Sequence, residues 1–537
     1  MFVGIVLSHL WLLLVVTVDA HKQQKDFEAR CRSFKPEKHV KNATRNVLEY
    51  VAPGTNLTLR DNVASCNRNS QVVPGAVCRI ALSIPTSHRS SITFELWLPE
   101  KWEGRFLATG NGGVDGCIRY EDLAYGSQNG FATAGANNGH NGTTLITALN
   151  NDDVVEDYAH RSLHTTAQVG KKLARKFYRK SHKVSYYIGC SLGGRQGIDA
   201  ADKYPADYDA ILAGAPAVDF NNLYSWRGHF PLNTSTDYIP PESWRTFVHD
   251  EVLRQCDALD GVHDNVIEDP LQCNSDPAKL LCSSSSQTTN CLTPQQIHPI
   301  SKIYQPYTYP NKTLIYPPLQ PGAEIAASTG VLSGQPFSLS VEWFKYIVYN
   351  NPSWDPYTFS TADASFAELK NPGNIRTWPK DFRAFRQRGG RLVMYHGLQD
   401  QQITSFNTPR FYERMRNATG KSYGEMDEWV RYFRISGMGH CNSGPGGWVL
   451  GQLGGASAAG ISFEAKENVF AALVEWVEKG RAPETVLGTK FVDDTVELGV
   501  QLRRRHCKWP LTNKSTEEAI PLFRGAGNVC SLEPEST

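Results

Sequence analysis

The chain has 537 residues, 40% of them hydrophobic and 20% charged, an ordinary globular composition with room for one large or two ordinary domains around a sizeable core. Its 55 Lys and Arg against 54 Asp and Glu leave a formal charge of +1, and this near-neutrality argues against nucleic acid or an anionic membrane as partner. Beyond residue 20 no run is apolar over the ~20 positions that a membrane span needs.

The first twenty residues, MFVGIVLSHLWLLLVVTVDA, hold an apolar run that ends in Val18-Asp19-Ala20, a small-x-small cleavage pattern, although the start lacks Lys and Arg. We read residues 1–20 as a signal peptide and expect the rest to be exported and soluble. Export makes disulfides the default for the twelve cysteines, all of which lie beyond it. Seven N-x-S/T sequons, at Asn42, Asn56, Asn141, Asn233, Asn311, Asn417 and Asn513, suit the same compartment.

SSITFELWLPE (90–100) and GRFLATGNGG (104–113) read as strands, the second breaking into a glycine-rich turn. RSLHTTAQVGKKLARKFYRK (161–180) has helical spacing and leads into the short strand KVSYYIG, a turn at Ser191 and a helix over RQGIDAADKY. YDAILAGAP (208–216) and GRLVMYHGLQD (390–400) read as buried strands, and NVFAALVEWVEKG (468–480) as an amphipathic helix stopped by a glycine. This alternation predicts an α/β fold with a parallel sheet and covering helices. Between about Val218 and Gly389 it gives way to short pieces rich in Trp, Tyr, Pro and Ser with four cysteines. The spacing therefore predicts a catalytic domain of 21–217 and 390–537, with 218–389 inserted as a lid over the sheet's carboxyl edge.

The chemistry is expected at Gly189-Cys190-Ser191-Leu192-Gly193, a G-x-S-x-G between a predicted strand and a predicted helix. Such a turn exposes a serine hydroxyl to a base and aims the next backbone N–H at a developing oxyanion. An acid and then a histidine should follow in chain order. Asp400 in HGLQDQQI and His440 in FRISGMGHCNSG supply them, whereas His396 precedes the acid and breaks the order. The second oxyanion donor is expected from ATGNGGVDG (108–116), at Gly112 or Gly113, beside the Leu192 N–H. Cys190 precedes the serine just as Cys441 follows the histidine, so a Cys190–Cys441 disulfide would clamp the two loops across about 250 residues. A closed loop that long is worth roughly 4–5 kcal/mol in a chain-entropy estimate.

The paired Cys-Ser and His-Cys motifs, with RFLATGNGG, YYIGCSLGGRQG, HGLQDQQI, GMGHC and LVEWVEKGRAPE, resemble the tannase and feruloyl esterase family over nearly all of the chain beyond residue 20. The resemblance implies an α/β-hydrolase fold with an inserted lid, the triad Ser191, Asp400 and His440, and five further disulfides: Cys31–Cys78, Cys66–Cys117, Cys256–Cys273, Cys282–Cys291 and Cys507–Cys530. It also implies a structural Ca²⁺ site in CDALDGVHDNVIEDP (256–270). Asp257, Asp260 and Asp264 offer carboxylates there, and the Val262 and Val266 carbonyls could complete the shell; the EF-hand spacing is absent. The expected activity is hydrolysis of small or polysaccharide-linked phenolic esters, feruloyl esters of plant cell walls foremost, with no catalytic cofactor. Galloyl esters of tannins are the alternative substrate, and an inactive wall- or glycan-binding protein is the alternative class.

Overall fold

The computed structural model describes residues 24–60, 62–234, 238–284, 289–514 and 529–532; the signal-peptide reading lies outside them. Nine strands form the central sheet: β1 Thr44–Val51, β2 Val77–Pro85, β3 Ser91–Pro99, β4 Arg105–Thr109, β5 Phe131–Ala136, β6 Val184–Cys190, β7 Ala210–Gly214, β8 Arg391–Gly397 and β9 Val430–Ile435. Their spatial order is β1-β2-β3-β5-β4-β6-β7-β8-β9. From β5 to β9 all neighbours run parallel, as their apolar texture predicts. The parallel sheet expected from the alternation is extended at the other edge by an antiparallel part, where β1, β2, β3 and β5 pair antiparallel. Only residues 86–90 join β2 to β3, too few for a parallel crossover.

Helices cover the sheet: α1 Ser162–Tyr178, α2 Leu192–Lys203, α3 Asn407–Thr419 and α4 Val469–Lys479 among them. In α1, Leu163, Ala167, Leu173, Ala174 and Phe177 lie on the buried side, the period of a helix with one face on a core. Helix α4 starts at Asn468, whose side chain accepts the Ala471 N–H, and stops at Gly480, which takes φ 72°.

The long segment between β7 and β8 adds no strand to the central sheet among its described residues. It buries Phe220, Trp226, Trp343 and Phe344 in a core that also takes in Leu192 and Ala217. Its Gln320 amide donates to the Asp400 carbonyl at 2.6 Å and accepts the Ser405 N–H at 3.1 Å, while the Tyr224 hydroxyl donates to the Gly113 carbonyl at 3.3 Å. The insertion thus braces the two loops on which the candidate acid and the glycine turn sit.

Candidate active site

Strand β6 ends at Cys190, and Ser191 turns the chain into α2 with φ 63° and ψ −122°, a backbone that residues bearing a Cβ rarely adopt. Glycines on both sides make the turn possible. A Cβ on Gly189 would stand 2.7 Å from the Gly193 carbonyl carbon, and one on Gly193 would stand 2.9 Å from the Asn111 carbonyl oxygen. The close packing of Gly193 on Asn111 sets the serine turn directly against the glycine-rich loop after β4.

Asp400 follows β8 and is fully buried. Its Oδ1 accepts the backbone N–H groups of Gln402 at 2.7 Å and Ile403 at 2.9 Å, and its Oδ2 accepts His440 Nδ1–H at 2.8 Å. The imidazole is held from its backbone as well, because the His440 N–H donates to the Gln401 side-chain oxygen at 3.0 Å. With Nδ1 committed to Asp400, Nε2 is the nitrogen left to face the cleft. Burial by itself would raise the Asp400 carboxyl, but the charge of His440 and the hydrogen bonds from both histidines outweigh it and hold the group well below the usual carboxylate range.

The second histidine is His396, set aside on chain order. Completely buried, it places Nε2 3.1 Å from Asp400 Oδ2 and 3.1 Å from the Ile403 carbonyl, with Nδ1 2.7 Å from the Thr408 hydroxyl. Two acceptors at Nε2 require that nitrogen to carry the proton. Asp400 therefore serves two imidazoles, one in the cleft and one beneath it. The available hint was His396 and Asp400 at i and i+4 across a strand end.

Cys190 and Cys441 are joined, their Cα atoms 5.9 Å apart, so a covalent bridge ties the residue before Ser191 to the residue after His440. The other ten cysteines pair as Cys31–Cys78, Cys66–Cys117, Cys256–Cys273, Cys282–Cys291 and Cys507–Cys530.

Ser191, His440 and Cys441 line a cleft of about 390 Å³, together with Gly110–Gly113, Arg119, Asp122, Gln402 and the 453–457 loop. Ser191, 8% exposed, opens onto it. The Gly112 N–H is turned to Asp115 Oδ1 at 3.3 Å. Gly113 takes φ 51°, and its N–H, like that of Leu192, meets no acceptor among the described residues. Among the described residues none of 218–389 lines the cleft, and Phe220, Trp226, Trp343 and Phe344 of that segment lie in one buried core instead. Arg119, Asp122 and residues 453–457 were not singled out in the sequence, since a polar helix start and a small-residue loop carry no motif.

In the acidic turn, Asp257 Oδ1 accepts the Val266 N–H at 3.1 Å, Asp260 Oδ1 the Val262 N–H at 3.0 Å, and Asp264 Oδ1 the Val266 N–H at 3.2 Å. Arg504 pairs with Asp264 and, at 3.0 Å, with Glu268. Burial first, and then the charges of Asp264 and Asp257, raise the Asp260 carboxyl. In kind these oxygens suit a hard cation. Among the described residues, however, no three His, Cys, Asp or Glu side chains converge as a ligand set.

A sequence model described as tannase and feruloyl esterase matches residues 78–520. A relative from Aspergillus flavus named probable feruloyl esterase B-2 is 52% identical over 488 residues, covering 90% of this chain and 93% of its own. Two crystal structures from Aspergillus oryzae superpose closely over 94% of this chain and 100% of theirs: an esterase, with TM-score 0.91 and 44% identity, and a feruloyl esterase B, with TM-score 0.88 and 39% identity. By fold, by sequence and by extent of match, the chain belongs to the tannase and feruloyl esterase family, carboxylic ester hydrolases of the α/β-hydrolase fold.

Proposed function

We propose that this chain is a secreted serine esterase that hydrolyses phenolic acid esters, feruloyl esters of plant cell-wall polysaccharides foremost. The observation that carries this reading is the single cleft holding Ser191 on its strained turn and His440 hydrogen-bonded to buried Asp400, with a disulfide between their loops. Relatives named feruloyl esterase B, 39–52% identical, favour the feruloyl acid over the galloyl one.

Ser191 Oγ attacks the ester carbonyl carbon as His440 Nε2 takes its proton, and Asp400 stabilises the imidazolium through Nδ1–H. The N–H groups of Leu192 and Gly113 bind the oxyanion of the tetrahedral intermediate; Gly112, engaged by Asp115, is the weaker candidate. Collapse of the intermediate expels the alcohol with the proton from His440. Water, activated by the same base, then releases the acid from the acyl-serine. Pairing of all twelve cysteines fits an oxidising compartment, and among the described residues no helix is long and apolar enough to cross a membrane. Asp257, Asp260 and Asp264, with the Val262 and Val266 carbonyls, are proposed to hold a structural Ca²⁺.

Purified protein should turn over methyl ferulate faster than methyl gallate, and Ser191→Ala should lower kcat by about 10³-fold or more while leaving the fold intact. Preference for methyl gallate would move the substrate to tannins. Full activity in Ser191→Ala would remove the nucleophile, and wild-type inactivity on both esters would leave a binding protein.

A further inference from the structure

Residues 171–183, KKLARKFYRKSHK, contain seven Lys or Arg and no acidic residue, in a chain whose formal charge is only +1. Helix α1 turns Gly170, Leu173, Ala174 and Phe177 to the core, which leaves Lys172, Arg175 and Lys176 on the outer face and Arg179 at its C-cap. These four stand at i, i+3, i+4 and i+7, so successive positive charges recur about every 4.5–6 Å along one side. The helix end also favours cations, by its dipole.

A second basic segment joins them. KPEKHVK (35–41) is held beside α1 by the preceding Phe34, whose ring lies 5.5 Å from that of Phe177 and 5.7 Å from that of His39. Its one acidic residue, Glu37, is engaged by Arg45. Between the two segments lies an open cleft of about 530 Å³, whose walls include His39, Lys41, Lys171, Lys172, Arg175 and His182, with no acidic residue and no Phe, Tyr or Trp. Among the described residues, none of Lys41, Lys172, Arg175, Lys176, Arg179 and Lys180 stands within ion-pair distance of a carboxylate. Burial first, and then the charges of Lys171 and Arg175 against an opposing one from Asp209, depress the His182 pKa. The surface is remote from the chemistry: β6 separates Lys183 from Ser191 by seven strand residues, about 23 Å.

We propose that this cleft and the outer face of α1 form a docking site for an acidic polysaccharide, a linear polyuronate carrying one carboxylate per sugar ring. A run of regularly spaced, unpaired cations matches a polymer with a charge on every unit. Single-stranded nucleic acid would call for a platform of Phe, Tyr or Trp rings, which the cleft lacks. A membrane surface would call for exposed apolar anchors, and none of the large exposed hydrophobic side chains falls within 24–45 or 161–184. The choice of a wall polymer rests on the proposed extracellular function, whereas the polyanion site does not. The enzyme thereby holds to wall material by one edge of its sheet while the opposite edge cleaves esters.

The test measures retention of the mature wild-type protein on immobilised polygalacturonate, with neutral arabinoxylan as control, across a salt series, and repeats it with Lys172→Gln/Arg175→Gln/Lys176→Gln. Polygalacturonate should bind at low salt, weaken by about 10-fold or more when salt compresses the screening length to ~3 Å, and lose about 10-fold or more in the variant. Arabinoxylan should not bind. Turnover of methyl ferulate should be the same in both proteins, since these residues lie far from Ser191. No polygalacturonate binding by the wild type, or undiminished binding by the variant, overturns the proposal. Tighter binding of an oligonucleotide or of phosphatidylglycerol vesicles overturns it in favour of those partners. Binding without any esterase activity would overturn the proposed function and leave the docking site standing.

Discussion

Asp400 carries more of the site than one member of a triad is asked to do. Its four hydrogen bonds come from two backbone amides and two imidazoles, so its orientation does not depend on His440 alone. His396 is accordingly a positioning residue, and His396→Ala should leave a buried carboxylate short of one donor and reduce kcat by about 10–100-fold with KM little changed. His396→Gln, which can return an N–H near the lost Nε2, should recover part of kcat. Equal kcat values for folded His396→Ala and wild type, measured well below both melting temperatures, would reduce His396 to packing. Asp122 affords a pH test at the same scale. Burial, and then the Glu121 charge, push its carboxyl up to about 7, while it accepts the Gly454 N–H at 2.7 Å. Between about pH 4, where the unfolded carboxyl ionises, and about pH 7, the native group keeps a proton that the unfolded chain releases. Its contribution to stability is therefore present at acid pH and lost as pH rises through that window. Asp122→Asn keeps an acceptor without the ionisation, so its melting temperature relative to wild type should climb by a few degrees from pH 4 to pH 7; a flat difference would refute the shift.

Two loops meet at the next scale, the one after β6 and the one after β9, and the Cys190–Cys441 bridge is their only covalent link near the cleft. Hydrogen bonds support each loop separately: the Ser191 N–H donates to Gly214 at 3.0 Å, and the Gly439 N–H donates to Ser443 at 3.0 Å. What the bridge adds is their mutual distance, on which proton transfer depends, and a displacement of ~1 Å can cost ~100-fold in rate. Cys190→Ala/Cys441→Ala should lower kcat well below the variant's melting temperature, with KM less affected because the rest of the cleft is untouched. A wild-type kcat there would show that the bridge stabilises the fold without positioning the chemistry.

For the whole molecule, the insertion is tied to the rest of the chain by polar contacts as well as by its core. Arg504, on the strand Val500–Cys507, reaches Asp264 and Glu268, and the Gln399 side chain donates to the Ile267 carbonyl at 2.9 Å. A cation bound at Asp257, Asp260 and Asp264 would therefore stiffen a junction that backs the Asp400 loop. Chelation should lower the melting temperature of protein purified with calcium, and re-addition should restore it, because a ligand bound only by the native state stabilises that state by mass action. A melting temperature indifferent to chelator, together with absence of calcium by elemental analysis, would remove the site.

The readable parts of this protein were those whose physics is local. A nucleophile turn needs an apolar strand, a glycine on either side and a helix after it, all within Tyr186 to Lys203, and the structure has them there. Helix α1 and the strands after it show their buried faces as periods in the chain, and the Cys-Ser and His-Cys pairs named the two loops that the structure joins. The rest was decided by neighbours distant in sequence. The antiparallel edge of the sheet, the second imidazole on Asp400, the engagement of Gly112 but not Gly113, and the 453–457 wall of the cleft all depend on which loops pack together. Composition could not tell that Phe220, Trp226, Trp343 and Phe344 of the insertion lie in one buried core, because a tryptophan in a core and one in a pocket look alike in sequence. Nor could the overall charge of +1 show that residues 35–41 and 171–183 lie side by side as one basic surface, since net charge sums over the chain and folding sorts it in space.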